Sequence, residues 1–99
     1  MTDEIQAFDV FAAVLQKHQA EVCASFSSRH NRRFDFERLD RASDYRKEKL
    51  GRRLIAEYRR GTGEVGAIDW KKFEQWCRDH WKLIVGVKII LTVLMLFCL

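Results

Sequence analysis

The chain contains no proline, so nothing in it forces a helix to stop, and its share of Ala, Leu, Arg, Lys and Glu favours helices throughout. Glycine is scarce as well. Of five glycines, three fall together as Gly61, Gly63 and Gly66, which makes residues 61–67 the strongest breaker in the sequence. Cysteine is confined to Cys23, Cys77 and Cys98, an odd number without paired spacing. That pattern excludes a disulfide framework and suits a reducing compartment. A secretory leader is not read either, because residues 1–20 lack a basic start followed by an apolar run.

Charge is what the last seventeen residues lack. Residues 83–99 (LIVGVKIILTVLMLFCL) carry one charged side chain, Lys88. As a helix this run would rise roughly 25 Å, the short end of what a bilayer core requires. Its twelve Leu, Ile, Val and Phe residues contribute on the order of −4 to −7 kcal/mol to insertion, more than the roughly 3 kcal/mol cost of a central lysine. Lys88 lies near the start of the run, where its ammonium can snorkel to the headgroups. The expected anchor residues are Leu83, Ile84, Val85, Val87, Lys88, Ile89, Ile90, Leu91, Val93, Leu94, Met95, Leu96, Phe97 and Leu99. Trp76, Trp81 and Lys82 stand where an interfacial belt would lie. A domain of about 80 residues has little surface with which to cover an all-round apolar helix instead. Seventeen of the eighteen Lys and Arg precede the segment, so the expected topology is a tail-anchored, single-pass protein with its N-terminus cytoplasmic.

The basic residues are unevenly spread. Residues 1–28 hold one basic and four acidic side chains, residues 29–60 hold twelve and six, and residues 61–82 balance. The middle third therefore offers a basic face: Arg32, Arg33, Arg46, Lys47, Lys49, Arg52, Arg53, Arg59 and Arg60.

Helical periodicity organises the rest. Residues 3–27 place Ile5, Phe8, Phe11, Leu15, Val22 and Phe26 at three- and four-residue steps, with His18 completing the stripe. The Phe8, Phe11, Leu15, Val22 and Phe26 face must pack within the module or dock a partner helix. Residues 27–33 read as a turn. Asp35 offers an N-cap for a helix to about Arg60, with Phe36, Leu39, Tyr45, Leu50, Leu54, Ile55 and Tyr58 on its thinner stripe. Gly51 weakens its interior, and Ser43 can cap a fresh start, so one long helix and two shorter ones both fit. Asp69 caps a third helix bearing Trp70, Phe73, Cys77, Trp81 and Ile84 on one stripe. No breaker separates it from the apolar tail.

The expected architecture is all-α: a helical hairpin (residues 1–68), a juxtamembrane amphipathic helix (69–82) and, continuous with it, a transmembrane anchor (83–99). Three apparent chemical motifs lack the residues or the setting their chemistry needs. Gly61, Gly63 and Gly66 spell the dinucleotide-binding spacing but follow a helix rather than a strand. The same loop resembles half an EF-hand, yet Gly61, Gly63, Val65 and Lys72 stand where calcium needs oxygen ligands. Cys77 and His80 share a helix face without two further ligands at metal-site spacing. No cofactor and no catalysis are expected.

What remains is a non-enzymatic interaction or regulatory module at a membrane face. Its expected partners are anionic headgroups and a protein partner or second copy. The alternatives are a small membrane-disrupting toxin or lysis-type protein working through Lys88, and a tethered nucleic-acid-binding protein. The last lacks a recognition helix and interleaved stacking aromatics.

Overall fold

The computed structural model describes residues 2–86 and, beyond them, Leu94 and Phe97. The described residues form five helices and no strand: α1 (Asp3–Lys17), α2 (Gln19–His30), α3 (Phe36–Asp40), α4 (Asp44–Thr62) and α5 (Trp70–Gly86). Four side chains start helices by accepting otherwise unpaired first-turn N–H groups. Thr2 Oγ1 takes Ile5 N, Asp35 Oδ1 takes Glu37 N and Arg38 N, Ser43 Oγ takes Arg46 N, and Asp69 Oδ1 takes Lys71 N and Lys72 N. At the other ends, Asn31 and Gly63 close α2 and α4 in the left-handed conformation, with φ of 53° and 72°.

Two expected boundaries change. The single helix expected over residues 3–27 is divided at His18, whose N–H turns to Leu15 O while its ring stacks on Trp81 at 5.5 Å between centroids. Between residues 35 and 60 the two-helix alternative holds, because Ser43 caps α4 afresh after α3 ends.

Helix α1 is the centre of the packing, touching α4, α5, α2 and α3. Its Phe8, Phe11 and Leu15, with Val22 and Phe26 of α2, are at most 2% exposed, so the stripe that needed a partner finds it inside the fold. Against α1, helix α4 comes unusually close. A Cβ built on Gly51 would lie 1.8 Å from the carbonyl oxygen of Glu4. Glycine is therefore required there by the neighbouring backbone, although it weakens the helix that contains it.

The apolar tail shares this core at the positions described. Leu94 and Phe97 have no exposed surface, and Ile84 and Val85 are buried beside them in the same cluster. The Phe97 ring lies 6.4 Å from those of Phe8 and Phe34, and its carbonyl accepts the N–H of Asp35 at 2.8 Å. No helix among the described residues is long and apolar enough to cross a membrane. Residues 87–93, 95, 96, 98 and 99, which carry Lys88 and most of the expected anchor, lie outside the described residues. Trp81 also departs from its expected place in an interfacial belt. It is 4% exposed because it stands on the buried stripe of α5, between Cys77 and Ile84, and faces His18.

Candidate anionic-surface interface

The α4 helix owes its site to its two-sided sequence. At about 100° per residue, Leu50, Gly51, Leu54, Ile55 and Tyr58 fall on one side, and these are the residues it buries. Opposite them, an arc of about 140° holds Arg46, Lys49, Arg52, Arg53, Arg59 and Arg60, all exposed, together with Tyr45 and Ala56. No carboxylate falls within that arc. Glu48 and Glu57 stand at its two edges and are half-buried, and Asp44, exposed in the first turn, falls outside it at the angle between Gly51 and Ile55.

The cations differ in how far they are committed. Arg60 pairs with Glu57, and Arg59 donates through Nη2 to Gly66 O at 2.9 Å. Lys49 Nζ lies 6.0 Å from the Tyr45 ring centroid. Among the described residues, Arg46, Lys49, Arg52 and Arg53 make no ion pair, so their charge faces water. Exposed charges of one sign on a short helix repel each other weakly and attract counterions, which an anionic surface can replace.

Three residues of the sequence-based basic face lie elsewhere. Lys47 is half-buried on the packed side of α4, its ammonium 5.7 Å from the Phe8 ring centroid. Arg32 and Arg33 are exposed in the α2–α3 turn and do not belong to α4. Conversely, Tyr45 was expected on the apolar stripe and is 72% exposed in the middle of the arc. At about 100° per residue Tyr45 stands about 180° from Leu54 and about 140° from Leu50 and Tyr58, so the helix that buries those residues turns Tyr45 outward. That signal is present in the sequence spacing itself, wherever the helix begins.

Two nucleophilic side chains are buried. Burial pushes the Cys77 thiol up to about 12, which leaves it a neutral core residue at physiological pH. Burial and a hydrogen bond to Glu64 likewise push the Tyr58 phenol up to about 12. His80 is held by its Nδ1 against Trp76 O at 2.9 Å. It lines a cavity of about 280 Å³ between α4 and α5 with Trp76, Leu83, Glu57 and Arg60. Among the described residues, no group of His, Cys, Asp and Glu is arranged to hold a metal. No protein-family model, curated protein or solved structure matches this chain.

Proposed function

We propose that the chain is a non-enzymatic interaction module that docks on the anionic face of a membrane through the solvent side of α4. The supporting observation is the carboxylate-free arc directly opposite the helix's buried face, with Arg46, Lys49, Arg52 and Arg53 outside any ion pair among the described residues. A Lys or Arg close to anionic headgroups contributes about 1 kcal/mol. Four such residues give about 4 kcal/mol, equivalent to a dissociation constant near 1 mM. Charge alone would thus make docking reversible and sensitive to salt. Nucleic acid fits this face less well, because Tyr45 is the one aromatic on it and base stacking needs several.

A second reading has residues 83–99 spanning the bilayer, and their composition favours it, with Lys88 the one charged side chain. It requires Leu94 and Phe97 to leave the core they occupy. Sedimentation with vesicles separates the two readings. Docking predicts binding to phosphatidylcholine vesicles with about one-third phosphatidylserine, none to pure phosphatidylcholine, and release at about 1 M salt. Binding that is indifferent to headgroup charge and survives alkaline carbonate would contradict docking and support the span.

A further inference from the structure

The described residues include three exposed large hydrophobic side chains: Tyr45, Val65 and Leu83. Two of them bracket the basic arc. Tyr45 lies in the first turn of α4, and Val65 lies just past its C-terminal cap, with about 27 Å of helix rise from Tyr45 to Gly63. Tyr45, Arg52 and Arg59 are seven residues apart and so share one line along the helix. At the end of that line Arg59 holds Gly66 O, which ties the Val65 loop to the C-terminal end of the arc.

This loop is built, not slack. Gly63 and Gly66 turn it through positive φ of 72° and 86°. Glu64 is tied on three sides: its carboxylate accepts from Tyr58 Oη and faces Lys72 Nζ at 3.6 Å, and its N–H donates to Thr62 Oγ1. The effect of all these ties is to hold Val65 out, 89% exposed, with Arg59, Arg60, Lys71 and Lys72 close in sequence on either side. An aliphatic tip on a fixed loop gains nothing from water and cannot stack on a base. It suits the boundary between headgroups and acyl chains, with Arg59 tied to the same loop and able to meet the phosphates.

We propose that Val65 and Tyr45 are the two insertion points by which α4 lies flat on an anionic lipid surface, a proposal that rests on the docking reading above. Each supplies apolar contact that salt does not screen, adding to the weak electrostatic attraction a second component of binding. The test is vesicle partition of the full chain on phosphatidylcholine with about one-third phosphatidylserine, comparing wild type with Val65→Ser, Val65→Leu and Tyr45→Ser. Both positions are exposed, so circular dichroism should be unchanged in all of them.

Val65→Ser and Tyr45→Ser are each expected to weaken binding about three- to tenfold, and Val65→Leu to strengthen it. The remaining binding should keep the wild-type salt dependence. Val65→Ser and Tyr45→Ser binding as tightly as wild type would overturn the insertion proposal while leaving electrostatic docking intact. Failure of the wild type to bind these vesicles at all would overturn the docking reading on which the proposal rests.

Discussion

At the scale of single residues, Gly51 shows how a tertiary contact overrides a local preference. In an exposed helix interior, Gly→Ala gains up to about 1 kcal/mol in propensity. Here the added methyl would meet Glu4 O at 1.8 Å, and that obstacle is backbone that cannot rotate away. Gly51→Ala is therefore expected to destabilise by about 1–3 kcal/mol net, a fall in Tm of several degrees or more. Thermal denaturation followed by circular dichroism checks this, and an increase in Tm would contradict the close crossing of α1 and α4. The sequence identifies Gly51 as a weak point in a helix. It does not show that the weakness is the condition for α1 to approach, because Glu4 is 47 residues away.

At the scale of elements, the caps, most stripe residues and the breaks at Ser43 and at residues 61–67 were legible, and the break at His18 was not. Asp35, Ser43 and Asp69 cap the helices whose starts they were expected to mark, since capping depends on neighbours within three residues. The Phe73, Cys77, Trp81 and Ile84 stripe of α5 is buried for the same local reason. The break at His18 has no proline or glycine to announce it, and its ring contact with Trp81 is contributed by another helix. The apolar tail was harder still, because hydropathy registers the need for an apolar environment without saying whether lipid or protein supplies it. The Phe8 and Phe34 rings supply it for Phe97. Phe97→Ala should then cost about 3–5 kcal/mol in urea denaturation of the full chain. A cost near zero would mean that the tail contributes nothing to the folded core.

At the scale of the whole molecule, charge and burial are arranged on opposite sides of α4, and this is the feature from which the functional reading grows. The basic residues were visible in the sequence as clusters, but sequence proximity grouped Lys47 with them and could not separate Arg32 and Arg33. Helical spacing about the buried Leu50, Leu54 and Tyr58 sorts six of them into one arc and turns Lys47 to the packed side, and the loop after Gly63 adds Val65 at the arc's end.

On the docking proposal, this arc, and not net charge, meets the anionic surface. Two variants of equal charge change separate these directly: Arg46→Glu/Lys49→Glu/Arg53→Glu on the arc, and Arg29→Glu/Arg32→Glu/Arg33→Glu around the α2–α3 turn. All six positions are exposed, so both variants should fold. On vesicles with about one-third phosphatidylserine, the arc variant should lose about a hundredfold or more in binding, while the turn variant should retain most of it. Equal losses in the two variants would contradict docking through α4.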